Sequence, residues 1–383
     1  MSKWEWKKLK DICEKGSSNI KQSDLKDLTG DYPIFGASGY IQNVDFYQRN
    51  RDYIGIIKDG SGVGRTMLLP AFSSVIGTLQ YILPKEGNDI KFINYALQNI
   101  DFSKSIQGAA IPHIYFKDYG ETEILVPPLS EQKSIVKFLD EEFSKIETLK
   151  TNAETNLKNA KELFESTLEK ELNPGKNGTL PSGWEWKTLR ELCILRPSKN
   201  EALSHLKGTD EVSFLPMEDL NIRERNTIPH KSRALSEVHG SYTFFAEGDV
   251  LLAKVTPCFE NGKMGIASNL LNGVGFGSSE YIVFRTTKSM INSYLFYVLM
   301  SSRFISGGKK QMLGACGLKR LSKEYVESFQ IPLPPLSVQK EIVARLDKLS
   351  ENVKRLEVNY KQIIANCDEL KKSILKKTFE GES

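Results

Sequence analysis

PPLSEQKSIVKFLD, residues 127–140, returns as PPLSVQKEIVARLD, residues 334–347. Both copies open Pro-Pro-Leu-Ser, hold a Gln two residues past the Ser, and run on without Gly or Pro. Proline can precede a helix but not sit inside one, Ser is a good N-cap, and the residues that follow are strong helix formers. Each copy therefore predicts the start of a long helix, with Ser130 or Ser337 as its N-cap. Lys133 and Lys340 stand where the Glu of a full capping box would be. The separation, 334 − 127 = 207, holds without a gap to Leu168 and Leu375.

Working outward, further matches appear in the same order. WEWKKLKDICEKGSS from Trp4 pairs with WEWKTLRELCILRPS from Trp184, at an offset of 180. IGIIK ending at Lys58 pairs with VLLAK ending at Lys254 (offset 196), and Gly64-Arg65 with Gly262-Lys263 (offset 198). GTLQYI from Gly77 matches GSSEYI from Gly277 (offset 200), and KDY from Lys117 matches KEY from Lys323 (offset 206). The offset only rises, from 180 to 207, which is one duplicated unit whose second copy carries 27 more residues in its loops.

Each unit opens with short apolar runs such as YIGII, VLLAKV and YIVF, separated by Gly-rich loops such as KDGSGVGR. These read as strands and turns, with INYALQNI and INSYLFYVLMSS as single short helices, so one modest sheet per unit is expected. Each unit closes with the long helix. In the second copy Leu346, Val353, Tyr360, Cys367 and Ile374 fall seven apart, with Leu349, Leu356, Ile363 and Leu370 at the companion position. That is a coiled-coil seam with its leucines in the core. In the first copy Leu139, Ile146, Leu149, Ala160 and Leu163 keep the seam, while Glu142 and Asn156 interrupt it. The fold class is α+β: two duplicated globular domains, 1–126 and 181–333, separated by two long antiparallel coiled-coil helices, 127–172 and 334–383. A Gly/Pro/Asn-rich linker occupies 173–180.

Composition bounds the function. At 383 residues the chain has room for two or three domains, and 40% hydrophobic with 26% charged residues is ordinary globular usage. No apolar run reaches membrane-spanning length and MSKWEWKKLK has no apolar core, so neither a span nor a signal peptide is expected. Five cysteines without a C-x-x-C pair fit a reduced, cytoplasmic protein. Cys13 and Cys193, each nine residues after a WEWK tryptophan, read as buried repeat positions. Residues 1–126 balance 15 basic against 15 acidic side chains, and 181–333 hold 19 against 15. A polyanionic role is thus excluded, and nucleic-acid binding is allowed.

Chemistry finds no purchase. Base methylation would need an Asn/Asp-Pro-Pro-aromatic loop, and Asn173-Pro174 is followed by Gly in the linker. GSGVGR, residues 60–65, lacks the Walker spacing and its Lys-Ser/Thr ending, and reads as a glycine-permitted turn. The four histidines (113, 205, 230, 239) have no metal-ligand spacing. The chain is read as non-catalytic, with no metal.

The duplicated PPL-x-x-Q helix openings, the two-unit arrangement and the closing Thr-Phe-Glu-Gly-Glu resemble the specificity (S) subunit of type I restriction–modification systems, over the whole chain. The resemblance implies a DNA-recognition subunit without chemistry of its own. Each globular domain would read one half of a bipartite, asymmetric site on double-stranded DNA. The helices would set the gap and dock two methyltransferase (modification) subunits, with restriction subunits joining them. S-adenosylmethionine, ATP and Mg are then cofactors of those partners, and none is bound by this chain. The rival from another class is a coiled-coil scaffold whose end domains bind proteins.

For contact with DNA the candidates are basic residues in Gly-rich loops, where backbone can come close. They are Lys58 and Arg65 in the first unit, and Lys254 and Lys263 at matching positions of the second, joined by Lys309, Lys310, Lys319 and Arg320. The tryptophans Trp4, Trp6, Trp184 and Trp186 could stack on bases; repeating at a fixed offset, they are read as core anchors.

Overall fold

The computed structural model describes residues 4–108, 110–175, 179–315 and 317–380. Cys316, the centre of the linker and the closing Gly381-Glu382 lie outside the described residues. The chain divides into two compact units, Met1–Thr155 with Tyr360–Ser383, and Asn156–Asn359. Each long helix thus begins on one unit and ends in the other.

In the first unit β1 (Glu5–Lys8) leads through one helical turn to β2 (Cys13–Ser17). There follow β3 (Tyr32–Gly36), β4 (Gly39–Val44), β5 (Tyr53–Ile57), β6 (Thr66–Leu69), β7 (Ser74–Val75), β8 (Leu79–Pro84), helix α1 (Ile90–Asn99) and β9 (Glu123–Val126). Strands pair as an antiparallel sheet β2-β8-β5-β6, a three-stranded sheet β4-β3-β7 and an antiparallel ribbon β1-β9. Alternation along β5 sends Ile54 and Ile56 to the core shared with α1, and Tyr53 and Ile57 to the core shared with β3 and β4. Both faces being covered explains the unbroken apolar run YIGII.

The first of the two long helices is α2 (Leu129–Leu172). The second unit then repeats the plan. It runs β10 (Glu185–Thr188), β11 (Cys193–Leu195), β12 (Glu211–Leu215), β13 (Asn226–Thr227), β14 (Lys231–Ala234), β15 (Thr243–Ala246) and β16 (Val250–Ala253). After these come β17 (Met264–Ala267), β18 (Val274–Gly277), β19 (Tyr281–Thr286), α3 (Asn292–Met300), α4 (Ser302–Lys310), β20 (Met312–Ala315), β21 (Leu318–Leu321), β22 (Gln330–Leu333) and the long α5 (Leu336–Glu380). Its sheet β11-β19-β16-β17-β13 carries the order β2-β8-β5-β6 with one strand added, and β10-β22 repeats β1-β9. The sheet β14-β12-β18-β15 likewise carries the order β4-β3-β7, with β15 added. Each unit therefore holds more than the one modest sheet expected, because the short strands split between stacked layers. INSYLFYVLMSS ends α3 at Met300; the Ser301 side chain then caps α4 by accepting from Phe304 N.

Both long helices are continuous, 44 and 45 residues. They begin at Leu129 and Leu336, one residue before the serines, so Ser130 and Ser337 lie in the first turn and are not N-caps. The carbonyl of Pro128 opens the ladder by accepting from Gln132 N at 3.0 Å, and that of Pro335 from Gln339 N at 3.0 Å. The repeated glutamines fasten each helix to its unit. Gln132, buried, accepts from Asp89 N (2.8 Å) and donates to Pro127 O (2.9 Å); Gln339, buried, accepts from Ile291 N (3.0 Å) and donates to Ser289 O and Pro334 O (both 2.8 Å). The aspartates that close the repeated stretch form a second tie. Asp140 accepts from Tyr95 and Lys91, and Asp347 from Tyr297 and Arg225.

The helices pair antiparallel in both units. Glu147–Lys371 and Lys150–Asp368 run in opposite senses in the first unit, as do Lys161–Glu357 and Glu171–Arg345 in the second. The last turns of each helix complete a core: Leu375 and Phe379 in the first unit, Phe164, Leu168 and Leu172 in the second. The seam of α2 is unbroken, through Leu139, Ile146, Ala153 and Ala160, all buried. Its companion row holds Phe143 and Phe164, one residue beyond the expected one, so Asn156 is exposed and does not interrupt it. Consequently Leu149, Leu163, Leu356 and Leu370, expected in the core, are exposed.

Candidate nucleic-acid interface

The matching strand ends of the two units carry the same ladder. In the first unit β5 leads into Lys58 and the KDGSGVGR turn, whose Gly60, Gly62 and Gly64 all have φ near +90°. A Cβ on Gly64 would come within 2.6 Å of the Phe102 ring, so this is a turn only glycine can make there. The carbonyl of Lys58 accepts from Ile114 N (3.0 Å) and Gly60 N donates to Pro112 O (2.9 Å). In the second unit the carbonyl of Lys254 accepts from Leu321 N (2.8 Å) and Thr256 N donates to Lys319 O (2.9 Å). With offsets of 196 and 207 these are the same two bonds. Each unit thus joins the end of its central strand to the stretch just before KDY or KEY.

The structure groups the candidate residues unevenly. Lys58 and Arg65 share the β5–β6 turn, through Ile57 N donating to Arg65 O at 2.9 Å. Lys58 Nζ lies 3.6 Å from Asp59, whose other oxygen is 2.7 Å from His113 Nδ1, and Arg65 Nη2 donates to Ala37 O at 3.0 Å. In the second unit Lys254 Nζ donates to Ser279 O (2.9 Å) and sits 3.7 Å from Glu280. Burial holds the Lys254 ammonium below the ordinary lysine range, with Glu280 pulling the other way. Hydrogen bonds from Arg320 hold the Glu280 carboxyl below its usual range against burial. Lys263 follows Gly262, but its Nζ donates to Met217 O at 2.8 Å. Lys254 and Lys263 therefore spend their ammonium groups on backbone carbonyls of the fold. Lys309, Lys310, Lys319 and Arg320 are exposed: the first two end α4, and the others lie on β21.

Two features differ from the expectation. Trp6 (60% exposed) and Trp186 (41%) sit on the outer face of the β1-β9 and β10-β22 ribbons, opposite Leu125 and Pro332, and are not core anchors. Trp4 is also exposed and donates from Nε1 to Glu131 at 2.6 Å; of the four, only Trp184 packs against a core. A strand alternates faces, so in a two-stranded ribbon one face has nothing to bury against. Sequence reasoning also passed over the apolar residues of the β20–β21 hairpin, whose Leu313 is 67% and Leu318 49% exposed. Their signal was the Gly-x-x-Gly spacing of Gly314 and Gly317 between two leucines. Cys13 and Cys193, at matched positions, are buried, and burial pushes both thiols up to about 12. Among the described residues no group of three or more His, Cys, Asp or Glu could hold a metal, and no helix is long and apolar enough to cross a membrane.

Residues 1–159 and 181–364 match the family model described as type I restriction modification DNA specificity domain. The chain is 36% identical over 179 residues to the type I restriction enzyme EcoAI specificity subunit of Escherichia coli, a match covering 46% of this chain and 30% of that protein. It is 37% identical over 171 residues to the EcoEI specificity subunit, also of Escherichia coli, covering 44% of this chain and 28% of that protein. The matched stretches thus span less than a third of these two relatives. Over 99% of this chain and 92% of the other, it is 23% identical to the MjaVIII specificity subunit of Methanocaldococcus jannaschii. Among solved structures, a chain from work on complex assembly and conformational transition of the type I R-M system superposes with TM-score 0.72 at 18% identity, covering 98% of this chain and 97% of that one. The HsdS subunit from Thermoanaerobacter tengcongensis gives 0.56 at 19% identity, covering 99% and 97%. These likenesses are of fold.

Proposed function

Since the chain belongs to the type I restriction modification DNA specificity domain family, we propose that it is the sequence-reading subunit of a methyltransferase/endonuclease complex. The observation that carries the reading is the repeated ladder: two units present a matched strand end and adjoining loop, built on the same sheet order, with different side chains at the surface. Two such readers recognise the two halves of a bipartite, asymmetric site on double-stranded DNA. Arg65, Lys309, Lys310 and Lys319 supply phosphate or base contacts. Lys58, Lys254, Lys263 and Arg320, engaged within the fold, shape the loops that carry them.

The helices act as spacer and dock. A continuous helix of 44 residues is about 66 Å long, and in this reading its length fixes the unread gap. Leu149 and Leu370, bracketed by Glu147–Lys371 and Lys150–Asp368, leave apolar surface exposed in the first unit. Leu163 and Leu356 do the same beside Lys161–Glu357 in the second. We assign these to the docking of two modification subunits, with restriction subunits joining the assembly. The chain itself binds no cofactor and carries no catalytic group, S-adenosylmethionine, ATP and Mg belonging to the partners, and it works in the cytoplasm. Exchanging residues 181–333 for the corresponding domain of another family member tests the reading. One half of the methylated site changes and the other stays; an unchanged site contradicts the proposal.

A further inference from the structure

We propose that the β20–β21 hairpin is the element with which the second unit enters a groove of DNA, with Leu313 and Leu318 against the bases. This rests on the DNA-reading function proposed above and names the part that performs it. Along the hairpin, Leu313 stands opposite Arg320 and Ala315 opposite Leu318, while Met312 and Leu321 pair at its root and join the core. Since strands alternate, Leu313, Ala315, Leu318 and Arg320 share the face turned away from that core. A surface ribbon should put polar residues there. Instead it carries two leucines at 67% and 49% exposure, held up by a firmly anchored base. The anchor is the Lys254–Thr256 segment, bonded to Leu321 and Lys319 on β21, with Glu280 gripping Arg320 through Nε and Nη2.

The hairpin's shape is imposed by glycine. Gly314 has φ +141°, and a Cβ there would lie 2.3 Å from Leu318 O, so no side chain fits between the strands. The first unit shows a similar device one residue along. In the register of the ladder bonds Gln107 matches Gly314, and its neighbour Gly108 has φ +88°, with a Cβ that would meet Ile111 O at 2.4 Å. There Gln107 and His113 exchange backbone bonds of 2.8 Å, and Ile106 and Ile111 are left 43% and 57% exposed. Exposed aliphatics on a glycine-shaped projection, recurring in both units, are a feature of the duplicated design.

Charge selects the occupant. Exposed Lys309 and Lys310 end the helix that delivers β20, and exposed Lys319 lies on β21, while the neighbouring carboxylate, Glu280, is already held by Arg320 and Lys254. An apolar tip rimmed by lysines fits a polyanion with an apolar interior. A two-stranded ribbon is narrow enough for a DNA groove, where apolar side chains touch thymine methyls and leucine is among those that wedge base steps.

The test uses the full chain and a 40-base-pair duplex of randomised sequence at low salt. A benzoylphenylalanine placed at position 313 cross-links to the duplex on irradiation, whereas one placed at exposed Ser236 does not. The L313S/L318S variant melts as the parent does, because both side chains are exposed, and binds the duplex about tenfold or more weakly, the scale of one lost base contact. Cross-linking at 313 to protein alone, or unchanged affinity of the double variant while the parent binds, overturns the assignment and leaves the proposed function standing. A parent that binds no duplex overturns both.

Discussion

Removing the side chain of Gln339 should unfasten the second long helix from its unit. The amide is fully buried and makes three bonds to backbone: it accepts from Ile291 N at 3.0 Å and donates to Ser289 O and Pro334 O at 2.8 Å. At about 1 kcal/mol net for each hydrogen bond, Q339A costs about 3 kcal/mol, with water reaching the half-exposed Ile291 as the main offset. For a unit of this size about 1 kcal/mol moves the melting temperature about 2–4 °C, so the expected drop is about 6–12 °C. Q339E separates hydrogen bonding from volume: it keeps the shape and the acceptor, but points a carboxylate at two carbonyls, and should cost at least as much as Q339A. Thermal melting of the full chain, followed by circular dichroism, is the assay. In the first unit Q132A should cost less, because its third bond, to Gly87 O, is stretched to 3.5 Å. A Q339A melting point within 2 °C of the parent would show that these bonds do not fasten the helix. Equal melting of Q339E and the parent would show that the amide donors do not matter.

Three other outcomes are expected. Burial pushes the Asp140 carboxyl up, but hydrogen bonds from Lys91 and Tyr95 outweigh it and hold the group below its usual range. Its stabilising effect is therefore complete above the unfolded value of about 3.9 and is lost as pH falls through the lower folded value. D140N should flatten the acid limb of the stability–pH curve, and an unchanged limb would place the ion pair's effect at zero. K319A should shallow the salt dependence of DNA binding by about 0.9 in the log–log slope, whereas K263A should lower the melting temperature and leave that slope alone; the reverse pattern would exchange their roles. W6A should shift stability by no more than about 0.5 kcal/mol, as for other exposed positions, and a loss of several would show that Trp6 is packed in solution.

The duplication and both helices were legible because the chain repeats ten of the fourteen residues that open each helix, and helical order is local. Sheet order was not, since pairing β2 with β8 or β11 with β19 joins residues far apart, and no short-range signal records it. The seam was misplaced for a related reason. Ala153 is small enough to be overlooked as a core residue, yet it lies in the buried row, whereas Leu149 and Leu163 look like core and are exposed. Hydrophobicity names what can be buried, and only the partner surface decides what is. At the interface, sequence matching found the equivalence of Lys58 and Lys254 through their strands. It could not see that the Lys254 and Lys263 ammonium groups turn inward to carbonyls, because those bonds are made to backbone, which every residue carries. The tryptophans erred in the same direction: a repeated position records inheritance from the ancestral unit, not burial.

Two related units that read two halves of one DNA site leave a mark on the genome. It is read by base-modification sequencing of genomic DNA from cells expressing this chain with its candidate modification subunit. The expected result is methylated adenine in a split motif whose two halves differ and whose gap is fixed. With the partner expressed and bound, methylation in a single uninterrupted motif, or none, would contradict it.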